Sequence, residues 1–336
     1  MNDEIILTVM IPTYNRADCL KKVLVSLMNQ TVDNFKIFIS DNASDYDVNI
    51  LLSELPDSFS KRCNIFKRKI NCYADVNIFD LFTFCETKYM WTLSDDEYVH
   101  NDAVEKIYNY ISKYPKVGVF NFTLSENIGT GGLPKVIKSI EEFIDFYYDK
   151  SKNNNKWHGD LIFLSNKVFN MHLVSDYVTW GYRYIYTRIA TEVIFVKMLE
   201  NEVPYCVVQD RIVDYNSENQ RSWKIYEVIL GSRTLIDLPL EKINYDIRKL
   251  YSILIFDIRY VYYLYFWESP GDKNVPLFFD QIYHGIYKYC LNINQKCILK
   301  VISIITKNEL GYRFCKWIYS KLYKTKENLR IIIRKN

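Results

Sequence analysis

The sequence predicts an α/β protein built on an open sheet, with a mainly helical extension at its C-terminal end. Three observations carry this reading. Short apolar runs closed by breaker or polar residues recur through residues 1–125. Segments with apolar residues at helical spacing lie between them. Each apolar run also ends in a cluster of polar or acidic side chains.

The first run is Ile5-Ile6-Leu7-Thr8-Val9-Met10-Ile11, closed by Pro12-Thr13-Tyr14-Asn15-Arg16. A short, continuous apolar run is the pattern of a strand buried on both faces. Leu20, Val23, Leu24, Leu27 and Met28 then recur at i, i+3, i+4, i+7 and i+8, one apolar stripe of a helix. Phe35 to Ser40 is a second strand and runs into Asp41-Asn42-Ala43-Ser44-Asp45. Strand, helix and strand make a βαβ unit, whose right-handed crossover sets the two strands parallel. Asn64 to Lys67 is the next strand, followed by a helix over 75–85 that points Ile78, Phe79, Phe82 and Cys85 inward. Tyr89 to Leu93 is a further strand, and a helix from Asn101 presents Val104, Ile107, Tyr108 and Ile111 on one face.

Ligands of open α/β sheets bind outside the carboxyl ends of the strands, where residues 13–16, 41–44 and 94–97 fall. The most informative of these ends is Ser94-Asp95-Asp96-Glu97. Two adjacent carboxylates there can hold a hard divalent cation such as Mg2+ or Mn2+, which is bound typically by one or two carboxylates together with substrate phosphates. An ordinary turn explains a Ser-Asp-Asp run as well, so the preceding stretches decide between the two. No G-x-G-x-x-G follows the first strand, and no Gly-Lys-Ser/Thr phosphate loop occurs. Phosphates must therefore be met by a metal and by side chains.

Four stretches, Val9–Arg16, Ser40–Asp45, Asn71–Asn77 and Tyr89–Glu97, resemble in order and spacing the motifs of glycosyltransferase family 2, whose nucleotide-sugar-binding fold is called GT-A. The resemblance covers residues 1–125 and weakens beyond them. Within the family it is strongest to bacterial O-antigen and capsule transferases, including abequosyltransferase-like ones. It implies a Rossmann-like open mixed sheet flanked by helices. It also implies that Pro12, Thr13, Tyr14, Asn15 and Arg16 shape the nucleoside pocket, and that Asn42, Ser44, Asn71, Asn77 and Ser94 join them around the donor. Asp41 would accept a hydrogen bond from the base, and an ionised carboxylate, being an acceptor only, suits an N–H of uracil, guanine or cytosine. Asp95 and Asp96 correspond to the D-x-D carboxylates that hold a metal on the diphosphate. Two departures stand out. The first Asp of that motif is replaced, the aligned position being Leu93 or Ser94, and Tyr73 stands where the family usually has Gly.

Glycosyl transfer needs a stabilised leaving diphosphate and an aligned acceptor hydroxyl, the second with help from a general base. The resemblance places that base, in inverting members, near the start of a downstream helix. Glu192 opens a helix over 191–201 and is the leading candidate, with Asp160 in Trp157-His158-Gly159-Asp160-Leu161 the second. The helix dipole favours an acidic first turn in any protein, which accounts for Glu192 equally, and a retaining enzyme needs neither residue as a base. Trp157, His158, Trp180 and Tyr182 have a composition suited to a sugar acceptor surface, although aromatic side chains are more often core. Asn216 to Trp223 is a polar loop from which Arg221 can close over the diphosphate. His100 and His172 stand alone, without metal-ligand neighbours.

The domain division is a GT-A domain over 1–222, with a nucleotide-sugar half (1–125) and an acceptor half (126–222), then a basic helical extension over 223–336. Eight cysteines without a C-x-x-C pair, and an N-terminus without a basic n-region, point to reduced thiols and a cytoplasmic protein. Net charge is only +3, but from Lys288 onward 12 Lys or Arg face Glu309 and Glu327, so the tail carries +10 and the rest −7. Basic amphipathic helices with Trp and Tyr suit the inner membrane surface, and a helical cap packed on the catalytic domain with its lysines facing water is the other reading; the resemblance adds a polyprenyl-diphosphate-linked acceptor at the membrane. Tyr251 to Trp267 is apolar but interrupted by Asp257 and Arg259, which fits a buried or interfacial helix better than a spanning one. No base-reading module accompanies the basic tail, so nucleic acid is not an expected partner. Two alternatives to a glycosyltransferase remain: a non-catalytic binding subunit of a polysaccharide assembly complex, and a sugar nucleotidyltransferase. The latter would want a Gly-rich phosphate loop where Pro12 to Arg16 stands.

Overall fold

The computed structural model describes residues 5–124, 134–153, 157–214, 216, 231, 238–241, 246, 249–250, 293–306, 308–318 and 320–321. The chain divides into two compact units, Met1–Ser222 with Asp237–Tyr245, and Trp223–Ile236 with Asp246–Asn336.

In the first unit, β1 (Leu7–Thr13) is the sheet's buried axis, with Leu7, Val9, Met10 and Ile11 fully enclosed. It lies between β2 (Lys36–Asp41) and β4 (Tyr89–Thr92) and is parallel to both. The register sets Thr13 opposite Asp41 and Met10 opposite Thr92, so three strand ends finish at one edge. β3 (Cys63–Lys67) extends the parallel array beyond β2.

The crossover from β1 to β2 is α1 (Ala17–Met28), which buries Leu20, Val23, Leu24 and Leu27 as its sequence stripe requires. Helices α2 (Val48–Ser53) and α3 (Asp57–Ser60) lead to β3, and α4 (Ala74–Phe79) and α5 (Leu81–Phe84) lead to β4. The single helix expected over 75–85 is thus divided at Asp80. Leu81 takes an inward place beside Phe79 and Phe82, while Ile78 and Cys85 are only half-buried. Asp80 is held by Arg68 at 2.6 Å and by the Tyr182 hydroxyl at 2.7 Å, which fixes the turn between the two pieces.

After β5 (Tyr98–Val99), α6 (Ala103–Lys113) buries Val104, Ile107 and Ile111. Tyr108, expected inward, is half-buried with its hydroxyl donating to the Asn34 carbonyl at 2.5 Å. Next come β6 (Val119–Phe122), β7 (Lys135–Ile137), α7 (Ile140–Asn153), α8 (Trp157–Ile162), β8 (Lys167–Asn170) and α9 (Met171–Arg183). A 3-10 turn at Ile185–Thr187, α10 (Ala190–Glu200), β9 (Tyr205–Val208) and β10 (Val213–Asp214) close the unit.

The main sheet runs β3-β2-β1-β4-β8-β6-β9-β7, and β10 pairs with β5 in a second, two-stranded sheet. β8 is antiparallel to both β4 and β6, which makes the main sheet mixed. One face packs α1 and α6 in an apolar core that includes Trp91, Phe120 and Phe122. Helix α10 is buried along its whole length, so it behaves as a core helix and not as an amphipathic surface one.

In the second unit, α11 (Ile293–Ile305) and helical residues 309–318 are described. No helix among the described residues is long and apolar enough to cross a membrane. The Tyr251–Trp267 run lies outside the described residues.

Candidate functional site

The ends of β1, β2, β3 and β4 meet through side chains that the sequence motifs supply. Asn15 and Asp45 exchange hydrogen bonds, the Asn15 Nδ2 donating to the Asp45 carboxylate at 3.0 Å and the Asp45 N–H to Asn15 Oδ1 at 2.8 Å. The Asn15 N–H also donates to Ser44 Oγ at 2.9 Å. Asn42 donates to Asn71 at 3.0 Å and accepts the Cys72 N–H at 3.0 Å, which pins the 71–73 loop to the end of β2. Asn77 is tied to Ser40 twice, at 2.7 and 2.9 Å. Three non-glycine residues here have positive φ: Asn15 at 53°, Ala43 at 66° and Tyr73 at 69°. Such clustered backbone strain persists only where surrounding bonds over-determine it, and it is typical of functional loops.

Asp41 is fully buried. Its Oδ1 accepts the Ser44 N–H at 2.9 Å. Its Oδ2 lies 3.7 Å from the Lys67 ammonium, within ion-pair range, but accepts no hydrogen bond. A buried carboxylate oxygen without a donor is costly, and the structure leaves this one open at the strand ends.

The β4 end carries the charge. Asp95 Oδ2 accepts the Thr13 hydroxyl at 2.7 Å. The Arg16 guanidinium reaches Asp95 at 3.3 Å and Asp96 at 2.6 Å, and Ser94 Oγ donates to the other oxygen of Asp96 at 2.6 Å. Burial pushes the Asp95 carboxyl up to about 6, against the pull of the Thr13 hydroxyl and Arg16. Burial works against the Arg16 charge, but Asp95 and Asp96 outweigh it and raise that group. Glu97 turns away and accepts the Asn216 N–H at 3.0 Å, with burial raising its carboxyl to about 8. Beside these residues lies an open cleft of about 730 Å3 whose lining includes Asn15, Arg16, Asp45 and Tyr46.

No group of three or more His, Cys, Asp or Glu stands at metal-binding geometry among the described residues. Asp95 and Asp96 nevertheless fit a divalent cation. They are adjacent hard-oxygen ligands at the end of β4, and burial of Asp95 disfavours its charged form unless a positive partner is at hand. Two carboxylates are as much as such an ion ordinarily takes from protein when phosphates complete its shell.

The sequence pattern of glycosyl transferase family 2 matches residues 8–177, half of the chain, and spans every element of this site. The chain belongs to glycosyl transferase family 2. The architecture agrees. The crystal structure of S. aureus TarS 1–349 superposes on the transferase with a TM-score of 0.56 at 13% identity, covering 84% of this chain and 80% of TarS. The same protein in complex with UDP-GlcNAc gives 0.58 at 12% identity, with 84% and 81% covered, and in complex with UDP 0.58 at 12%, with 94% and 91% covered. At such identity the likeness is one of fold, and the fold is GT-A. No curated protein sequence matches the transferase.

The two candidate bases lie elsewhere, in a polar cluster beneath β6, β8 and β9. Asp160, on α8, accepts the Leu124 N–H at 2.6 Å and the Thr123 hydroxyl at 3.5 Å, so its carboxylate secures the end of β6. Lys167 is enclosed, donating to the Asp160 carbonyl at 2.9 Å, to the Phe163 carbonyl, and to Asn166 at 3.0 Å. Glu192, in the first turn of α10, accepts the Thr191 hydroxyl at 2.9 Å on one oxygen, while its buried Oε1 has no hydrogen-bond partner. Burial raises the Glu192 carboxyl and lowers the Lys167 ammonium, while their attraction opposes both shifts.

Of the aromatic acceptor candidates, Tyr182 packs edge-on to Phe79 and bonds Asp80, a packing role. Trp180 lies against Arg183 and Lys197, whose charges are 4.5 and 4.3 Å from its ring. His100 has a structural contact, its Nε2 lying 3.1 Å from Asp214. Arg221 lies outside the described residues.

Three site residues escaped the motif reading. They are Tyr46, whose hydroxyl is 3.4 Å from Thr13; Lys67 against Asp41; and Arg68, bonding Asn77 at 2.9 Å. The signal for two of them was the Lys67-Arg68 pair directly at a strand end.

Proposed function

We propose that the transferase moves a sugar from a nucleoside-diphosphate sugar to a lipid-linked oligosaccharide during surface polysaccharide synthesis. The polyprenyl diphosphate of that acceptor would hold it at the inner face of the cell membrane. The observation that carries the donor half is the open Asp41 Oδ2 beside the Asp95 and Asp96 pair, a base acceptor and a diphosphate-metal site at one row of strand ends. That TarS is seen with UDP and with UDP-GlcNAc supports a nucleotide sugar as donor.

In this reading Asp41 accepts a base N–H, Tyr14 and Tyr46 border the nucleoside, and Asp95 and Asp96 hold Mn2+ or Mg2+. The bound cation would supply Lewis-acid stabilisation of the departing diphosphate. Arg16, already bridging both carboxylates, keeps them aligned and lends a second positive charge to the same departing group. Glu192 is the proposed base: its orphan Oε1 is an acceptor without a donor, and burial makes it more basic than a surface carboxylate.

The test is thermal unfolding with UDP, GDP, CDP and dTDP, each with and without Mn2+. A ligand that binds only the folded state raises the melting temperature, by about 2.7 kcal/mol of stability at a hundredfold excess over Kd. One nucleotide is expected to give a metal-dependent rise that Asp95→Asn abolishes. No rise with any of them would overturn the donor reading and favour the non-catalytic subunit.

A further inference from the structure

Amphipathic helices of a folded protein turn their apolar stripe inward, and the described helices of the second unit do the reverse. In helical residues 309–318, Leu310, Phe314, Trp317 and Ile318 stand at i, i+4, i+7 and i+8, a single stripe. That stripe faces outward: Leu310 is 80% exposed, Phe314 57% and Trp317 58%. The preceding α11 repeats the pattern, with Ile293 79%, Val301 53% and Ile304 57% exposed along one face. Gly311 meets the Ile305 carbonyl so closely that a Cβ would not fit, so the second helix starts in tight contact with the end of the first, and both stripes are exposed.

The charge around these stripes is one-sided. Between residues 293 and 321 the sequence has Lys296, Lys300, Lys307, Arg313, Lys316 and Lys321 against Glu309 alone. Lys321 places its ammonium 6.0 Å from the Trp317 ring, and Lys316 lies 5.9 Å from the Tyr312 ring. Apolar anchors edged by lysines, each beside an aromatic ring, match the boundary between acyl chains and anionic headgroups. A second copy of this chain would bring like charges face to face, which opposes self-association through the same surface.

We propose that the outward stripes of the 293–305 and 309–318 helices are the surface by which the protein seats on an anionic lipid bilayer, with Leu310, Phe314 and Trp317 entering the interface and the lysines meeting headgroup phosphates. The inference deepens the membrane part of the proposed function, and it holds or fails apart from the donor chemistry.

The experiment is sedimentation of the full chain with phosphatidylcholine vesicles, with and without phosphatidylglycerol, at low and high salt. Binding is expected to need phosphatidylglycerol, to weaken with salt without vanishing, and to fall about tenfold or more in Phe314→Glu/Trp317→Glu. The double variant should keep the parent melting temperature and the parent rise with nucleotide, which separates a lost surface from a lost fold or donor site. Three outcomes would overturn the proposal. The folded parent might fail to sediment with anionic vesicles. Its binding could be abolished by salt and indifferent to the double substitution. Or light scattering could show a dimer that the double substitution splits, in which case a second copy covers the stripe.

Discussion

At the scale of single residues, the site depends on side chains whose neighbours force them into costly states. Glu192 shows this most plainly, being buried against Lys167 with one oxygen unbonded. Removing a working general base costs about 10²–10⁴-fold in turnover. Glu192→Gln is therefore expected to lose that much kcat in a donor-to-acceptor assay while keeping the thermal shift with nucleotide. Unchanged kcat would reassign Glu192 to the structural cluster around Lys167. Tyr73 makes the converse case. Its φ of 69° and ψ of 157° belong to a region open to glycine, and its backbone N–H is held there by Asn71 at 2.9 Å. Replacing it with glycine should stabilise the fold by about 1–3 kcal/mol in chemical denaturation, the reverse of the usual effect of a new glycine. The Tyr-for-Gly departure was legible in the sequence, but not that Tyr73 keeps a glycine-type backbone in place of a different path. The Asp41 contact with Lys67 was not, because it joins two strands whose pairing only the sheet reveals.

At the scale of elements, the first three strands and α1 were readable because their apolar patterns are uninterrupted and local. The helix read over 75–85 was misread as one piece. Its apolar spacing is continuous, and the turn at Asp80 is fixed by Arg68 and by Tyr182, which is 102 residues away in sequence. No local pattern reports such a partner. The same contact explains how closely α9 approaches α4. Gly181 stands over the Phe79 ring, and a Cβ there would collide with it, while Phe79 is itself wedged between Phe82 and Tyr182. Gly181→Ala should destabilise the protein by about 1–3 kcal/mol, measured as a shift of the urea midpoint at unchanged slope. An unchanged midpoint would mean that the ring yields freely and the packing is looser than described. Helix α10 was expected as a helix over 191–201, but its burial on every side could not be read, because two charged residues, Lys197 and Glu200, lie in it. They satisfy one another at 2.7 Å, with Lys197 also donating to the Pro239 carbonyl at 2.5 Å.

At the scale of the whole molecule, buried carboxyls set the response to pH. Asp160 is raised to about 7 by burial, so the folded state holds its proton more tightly than the unfolded chain does. Its contribution is fully present below pH 4 and is lost as the pH climbs to about 7. Lys167, lowered by burial, acts with the opposite sign at higher pH. Melting temperature is therefore expected to decline between pH 5 and 7, and Asp160→Asn, which keeps an acceptor for the Leu124 N–H, should flatten that decline. A variant with the parent slope would show that Asp160 ionises freely in the fold. The order of the sheet has a consequence for the chain while it is being made. β8 stands between β4 and β6, yet it is the last of the three to leave the ribosome. At about 5–20 residues per second, on the order of 2–10 seconds pass between the end of β6 and the end of β8, with the inner edges of β4 and β6 open to other polypeptides. Until residue 170 is made, the edges that β4 and β6 later share with β8 have no strand between them, so Trp91 and Phe120, fully buried in the finished fold, sit on strands with an unpaired edge during that interval.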